Sequence, residues 1–336
     1  MSLLLASIAL AATTATTTLV PINDLDRGAY LWGYYGGLWD VVNTGDETIP
    51  PDHAGAGMRR SSLIEPRDSD GNPDPNGKIV FMSVGYGNTQ LTFDQFTTMA
   101  EADPHVNHSS LEMVNAAGNN LDATKWEFPW SALYGHLGNT ALTPAGVSPA
   151  QVQAVWLQQI NQNPYTPLPI QFADSYLLKA SIANTLRTLK LEFPNLQVAY
   201  LSDPEYGGYG TGNFLGEPYA YEDGYAVRWV ILGQILYMRQ GEIWDPRIAN
   251  MNYEKGVAPW VTWGPYMWAN GTTPRSDGLT WQRNDYLADG NTLSDSGARK
   301  SATMLMKFML SEPTAAKWFT NGSQTQTSLR RRAARP

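Results

Sequence analysis

Four histidines, His53, His105, His108 and His136, are the only imidazoles in this 336-residue chain, and it contains no cysteine. Disulfides, thiol nucleophiles and thiolate metal sites are therefore excluded. His105 and His108 stand in Asp103-Pro-His-Val-Asn-His108, a spacing that can chelate zinc. No third ligand is evident, and a solvated loop accounts for the pair. Asp203 with Glu205, and Glu222 with Asp223, are carboxylate pairs of the kind that serve as general acid and base in sugar hydrolysis, although such pairs are common on surfaces and loops. Asp68-Ser-Asp70-Gly-Asn72-Pro-Asp74 sets oxygen side chains at alternate positions, as calcium loops do. It lacks the distal bidentate glutamate, and a turn cluster ahead of a strand explains it as well. Neither a Gly-x-Ser-x-Gly elbow nor a His-Glu-x-x-His motif is present.

The elements that must position any such chemistry follow from hydrophobic periodicity. Short, mostly apolar runs bounded by turn residues, Ile79–Val84, Leu111–Val114, Val152–Leu157 and Val198–Ser202, predict buried strands of a parallel sheet, with Pro259–Trp263 as a fifth. Helices are predicted over Phe93–Ala100, Phe172–Phe193, Tyr221–Arg239 and Ser294–Leu310. The second places Leu178, Ile182, Leu186, Leu189 and Phe193 on one stripe before Pro194 stops it, and the last starts on a Ser294 cap. Strands alternating with long helices predict a three-layer α/β/α arrangement around a parallel, flavodoxin-like sheet. The Pro66–Gly77 segment is the nearest thing to a linker, and one domain with an N-terminal extension is the simpler reading.

In such folds ligands sit beyond the carboxyl ends of the strands. The segments to inspect are Gly85-Tyr86-Gly87-Asn88, Asn115–Asn120, Gln158–Asn161, Asp203–Tyr209 and the loop at Asp289. Gly85 and Gly87 are expected to form a tight strand-to-helix turn at positive φ.

These segments carry a resemblance. Asp289-Gly-Asn-Thr292, followed by Leu-Ser-Asp-Ser-Gly297, resembles the closing block of the SGNH (GDSL-like) hydrolase superfamily, which reads Asp-x-x-His ahead of a final helix. Gly85-Tyr-Gly-Asn-Thr89 is similar to the nucleophile block of one group in it, Gly-Met-Ser-Asn-Thr. Val155-Trp-Leu-Gln-Gln159 matches its Val-Trp-Leu-x-Gln. Asp70-Gly-Asn-Pro-Asp-Pro-Asn-Gly-Lys-Ile-Val80, Phe193-Pro-Asn-Leu-Gln-Val-Ala-Tyr-Leu-Ser202 and Pro274-Arg-Ser-Asp-Gly-Leu-Thr-Trp281 read like the same group, so the resemblance spans roughly Pro21 to Phe319. It implies a serine ester hydrolase whose nucleophile position is Gly87 and whose base position is Thr292. Asn119 and Asn120 replace a glycine pair that helps hold the oxyanion, Asn115 replaces an aspartate, and Gln159 keeps an amide donor. With nucleophile and base both gone, triad catalysis fails.

The resemblance therefore implies a protein that has lost ester hydrolysis and acts as an exported binding or structural protein, glycan-associated or self-assembling. Asn88, Thr89, Asn115, Gln159, Asp289 and Thr292 are expected to line its pocket. The alternative is an active carbohydrate or acyl ester hydrolase with a rewired site, for which Ser83 and Thr89 are the candidate hydroxyls. No cofactor is expected.

Composition narrows the partners. A net charge of −8 argues against nucleic acid. Arg330–Arg332 with Arg335 belong to an expected flexible basic tail, residues 320–336. Leu3–Ala12 is too short to span a bilayer and ends in Ala9-Leu10-Ala11, a small-x-small pattern that makes residues 1–20 a candidate leader for export. Residues 21–78 are expected to pack as an extension on a core domain, residues 79–319. Asn107, Asn270 and Asn321 begin sequons that a glycosylating compartment could use. The 17 tyrosines and 12 tryptophans include two clusters, Tyr30–Trp39 with Trp32, Tyr34 and Tyr35, and Trp260–Trp268 with Trp263 and Tyr266. Exposed, either would stack on sugars or on another copy; buried, they are core.

Overall fold

The computed structural model describes residues 19–25, 29–30, 34–39, 48–129, 131–210 and 215–321. The candidate leader up to residue 18, Trp32 and the basic tail from residue 322 lie outside them.

Five strands form one all-parallel sheet: β3 (Ile79–Gly85), β4 (Leu111–Asn115), β5 (Val152–Gln158), β6 (Val198–Ser202) and β7 (Trp260–Trp263), in the order β4-β3-β5-β6-β7. β1 (Ala29–Tyr30) and β2 (Tyr34–Tyr35) make a separate antiparallel pair. The sheet is flavodoxin-like, and its order reverses between β3 and β5, which opens a crevice at their carboxyl ends. Every residue of β3, β5, β6 and β7 is buried, because helices cover both faces.

Side-chain alternation divides the sheet between two cores. Phe81, Trp156, Tyr200 and Trp260 face one layer, formed by α1 (Pro51–Ser61), α2 (Gly87–Ala102), α7 (Asp295–Ser311) and α8 (Pro313–Phe319). Met82, Val155, Leu201 and Val261 face the other, formed by α5 (Asp174–Glu192) and α6 (Tyr219–Gln240) with α3 (Ala123–Trp126), and α4 (Ala132–Leu137) follows α3. The predicted three-layer architecture is the observed one, and no helix among the described residues is long and apolar enough to cross a membrane.

The four predicted helices all form, with one marked difference of extent. α2 begins at Gly87, two turns before the predicted start at Phe93, because its first turns are Gly-Asn-Thr-Gln and carry little of the apolar stripe. α1 escapes prediction since its buried positions are His53, Ala56, Gly57 and Ser61, hardly a hydrophobic face. The helix is accepted because Gly57 lets it lie directly on Trp260; a Cβ there would stand 2.4 Å from the indole. Pro66–Gly77 is no free linker: Ser148 Oγ donates to Ser69 O at 2.6 Å and Asn195 Nδ2 to Gly71 O at 3.3 Å.

The Trp260–Trp268 aromatics are core, with Trp260, Trp263, Tyr266 and Trp268 all buried, so they offer no stacking surface. In the other cluster Tyr34 packs on Tyr225 and Trp229, Trp39 sits 6.3 Å from the His53 ring, and Tyr35 is exposed.

Candidate functional site

The crevice at the switch point holds a cleft of about 500 Å³. Each wall comes from the end of a sheet strand or from the Asp289 loop. β3 runs out at Gly85, Tyr86 takes an extended conformation, and α2 starts at Gly87. Neither Gly85 nor Gly87 is at positive φ, so the expected reason for these glycines is wrong. Close approach is the cause at Gly85, where a Cβ would lie 2.3 Å from both Gln158 O and Thr89 Oγ1. At Gly87 a Cβ would lie 2.4 Å from Asn119 Oδ1, so the Asn119 amide occupies the space a side chain at 87 would need.

Asn119 and Asn120 follow β4 and are exposed at the rim. Asn120 has φ 62°, a left-handed conformation that asparagine tolerates better than other side-chain-bearing residues. Ile160 and Gln162, after β5, and Asp122, which caps α3 by accepting from Thr124 N, complete that side.

The opposite wall is the Asp289 loop. Asp289 Oδ1 accepts from the backbone amides of Asn291 and Thr292, both at 3.0 Å, and Oδ2 accepts from Thr292 Oγ1 at 2.6 Å. Burial works against ionisation of this carboxyl, but the Thr292 and Asn291 hydrogen bonds and the Arg283 charge outweigh it and hold its pKa below the usual range. Asn88, buried at the second position of α2, locks the loop to the helix: its Nδ2 donates to Asn291 O at 3.0 Å and its Oδ1 accepts from Leu293 N at 3.1 Å. Trp281, Tyr286, Leu293 and Ala298 form a small separate core beneath.

Gly87, Asn88, Asn119, Asp289 and Thr292 therefore meet around one cleft, drawn from three distant parts of the chain. The other expected lining residues do not. Thr89 is fully buried and donates to Gln158 O at 2.9 Å. Asn115 accepts from Ser83 Oγ at 2.6 Å and donates to Gln90 O and to Asp94, so it ties β3, β4 and α2 together. Gln159 is fully buried, and neither its Oε1 nor its Nε2 has a protein partner, but it lies off the cleft surface. Tyr86, Asn120, Asp122, Ile160, Gln162 and Asn291 join the lining. Tyr86, Asn120, Ile160 and Asn291 stand in the segments expected to border the cleft. Asp122 and Gln162 lie one or two residues beyond those segments, and only that proximity signalled them.

The remaining candidates resolve elsewhere. Ser83 and Thr89 are both fully buried, and no histidine is among their hydrogen-bond partners. Glu205 is buried behind the cleft, where it accepts from Ser301 Oγ at 2.8 Å, Gln158 Nε2 at 3.2 Å and Tyr86 OH at 3.4 Å; burial pushes its pKa up despite these bonds. Asp203 accepts from the Met267 and Trp268 amides, and Glu222 from Leu168 N. Asp203, Glu205, Glu222 and Asp223 are all buried, which corrects the placement of these pairs on a surface or loop and removes them as an acid–base pair open to a sugar. Two carboxylates of the Asp68–Asp74 loop are taken up by its own backbone: Asp68 accepts from Asp70 N and Asn72 N, and Asp74 from Asn76 N. The loop is a turn cluster, not a set of converging ligands. His105 and His108 both turn to Asp103, and no group of three or more His, Cys, Asp or Glu side chains among the described residues could hold a metal.

Of the three sequons, Asn321 alone is exposed, and its Nδ2 donates to Pro104 O. Asn107 Nδ2 is bonded to Ser110 Oγ and Trp318 O, and Asn270 Nδ2 to Leu19 O.

No protein-family model matches this chain, and no curated protein matches it. What defines the molecule is a flavodoxin-like α/β fold with an amide-rich cleft at its switch point.

Proposed function

We propose that the chain is a non-catalytic relative of the SGNH hydrolases whose cleft holds a neutral, hydroxyl-rich ligand such as a carbohydrate without cleaving it. The observation that carries this reading is the occupation of position 87. The first residue of the helix at the cleft has no side chain, and the Asn119 amide stands where one would project. Across the cleft Asp289 orients a threonine hydroxyl, which is no base at neutral pH.

The lining suits hydroxyl groups. Asn119, Asn120 and Gln162 bring paired donors and acceptors, Asn291 brings an amide donor, Asp122 and Asp289 bring acceptors, and among the described residues no Lys, Arg or His lines the cleft. A phosphate or carboxylate ligand would find no counter-charge there.

The test has two halves. Purified protein incubated with p-nitrophenyl acetate and a fluorophosphonate probe is expected to show neither turnover nor label, while titration with alkyl glycosides or soluble oligosaccharides quenches tryptophan fluorescence. Asn291→Ala with Asp122→Ala is expected to weaken that binding at least about tenfold, the worth of one or two hydrogen bonds. Turnover or labelling abolished by Ser83→Ala or Thr89→Val would overturn the proposal in favour of an active esterase.

A further inference from the structure

The crossover between β4 and β5 carries a second concavity beside the cleft. It is an open groove of about 670 Å³ along α3 and α4, walled mainly by Leu121, Phe128, Ala132 and Leu133 with Lys125 and His136 also in its lining, and Asn120 lines both it and the cleft. Phe128 is 60 % exposed and continues the apolar lining of the groove, so the exposed surface there is a contiguous patch rather than a single side chain. The wall is built rigidly. Leu121 and Leu133 pack on the main core, Trp126 is fully buried, and its Nε1 donates to Leu121 O at 3.2 Å. Tyr134 meets the Trp126 ring edge-on at 6.0 Å and donates its hydroxyl to Trp126 O at 2.6 Å. An apolar trough held open this way loses little freedom when it is filled.

We infer that the groove takes the aliphatic chain of an amphiphile whose hydroxyl-rich head lies in the cleft. This rests on the carbohydrate reading of the cleft and extends it from the head group to the whole ligand. The continuity at Asn120 is the decisive feature: a ligand that crosses this rim passes in one step from side-chain amides to a hydrocarbon wall. A free sugar would leave the groove empty, and a fatty acid would set its carboxylate against Asp122 and Asp289.

Titration calorimetry with monomeric methyl, butyl, hexyl and octyl β-glucosides tests the inference. A half-buried chain tightens binding about twofold per methylene, so affinity is expected to rise about a hundredfold from methyl to octyl. Phe128→Ser, at an exposed position, is expected to remove most of that rise while leaving methyl glucoside affinity unchanged. Affinity that stays flat along the series, with methyl glucoside still bound, overturns the amphiphile and leaves the carbohydrate reading standing. Octanol binding as tightly as octyl glucoside overturns the head-group assignment. No binding of any member sinks both readings. Ligand-free dimers abolished by Phe128→Ser, without a chain-length effect, would give the groove to a second copy of the chain and overturn the inference.

Discussion

At the residue scale two positions, 87 and 88, decide what the cleft is. Asn88 holds the Asp289 loop with both ends of its amide, and both partners are backbone atoms. Asn88→Ala leaves a buried carbonyl and a buried N–H unmatched, so it is expected to cost about 1–3 kcal/mol in urea denaturation. Asn88→Asp keeps the acceptor for Leu293 N but sets a buried carboxylate against Asn291 O, so it should cost at least as much as alanine. Gly87 makes the complementary case. The atom facing a new Cβ is the tip of the exposed Asn119 side chain rather than backbone, so Gly87→Ser displaces that amide at little cost. The hydroxyl alone has no base. Adding Thr292→His gives Asp289 Oδ2 an imidazole N–H in place of the threonine hydroxyl it now accepts from, 2.6 Å away. The double variant is expected to label with fluorophosphonate about a hundredfold faster than Gly87→Ser, the usual worth of a positioned base. Equal rates would mean that the two positions never come within reach of each other.

At the element scale the sequence was most legible where burial is uniform. β6 begins and ends as predicted, and β3, β4, β5 and β7 differ by one residue at one end, because a strand buried on both faces is a bare apolar run between turn residues. The strand ends in turn located the cleft, since a parallel sheet that reverses its order gathers the loops after β3, β4 and β5. What periodicity could not reveal is contact made by small or polar residues. α1 is held by Gly57 against Trp260 and by His53, whose Nε2 lies 2.8 Å from Val261 O. Likewise Asn115 and Gln159 at strand ends and Thr89 in the first turn of α2 have the chemistry of a pocket, yet their side chains turn inward. Spacing fixes which loop a residue joins but not which way it points. The role of α1 is testable, because Gly57→Ala presses a methyl into an indole that is fully buried and cannot retreat. A loss of about 1–3 kcal/mol is expected, against a much smaller change for Gly55→Ala on the same helix, where the nearest atom is the Arg59 guanidinium at 3.7 Å. Equal effects at the two positions would show that α1 does not bear on Trp260.

At the scale of the whole molecule the interior carries an excess of acid. Asp203, Glu205, Glu222 and Asp223 are buried, and Glu217 is half-buried beside them. Burial pushes Asp203 up to about 8 and Glu217 up to about 7, and it raises Glu205 and Asp223 as well, the last helped by the neighbouring Glu222 charge. In the unfolded chain these groups lose their protons near pH 4. Between that point and pH 7 to 8 the folded state therefore holds more protons than the unfolded state. Their contribution is complete below pH 4 and drains away as pH rises, by about 1.4 kcal/mol per pH unit for each retained proton. His53 acts oppositely. Burial pushes it down to about 4, so it stays neutral in the fold while the unfolded imidazole protonates below about pH 6.5, and stability falls as pH drops through that window. One imidazole is set against several carboxyls, and above pH 6.5 it contributes nothing further. The protein is thus expected to be most stable near pH 4 and to lose stability steadily toward pH 8, measured by urea denaturation at constant ionic strength. Asp223→Asn swaps a retained proton for an amide of similar shape, and it should leave stability at pH 4 nearly unchanged while making the decline toward pH 8 shallower. A stability that rises from pH 5 to pH 8 would mean that these carboxyls are ionised inside the fold and that their hydrogen bonds, not retained protons, compensate their burial.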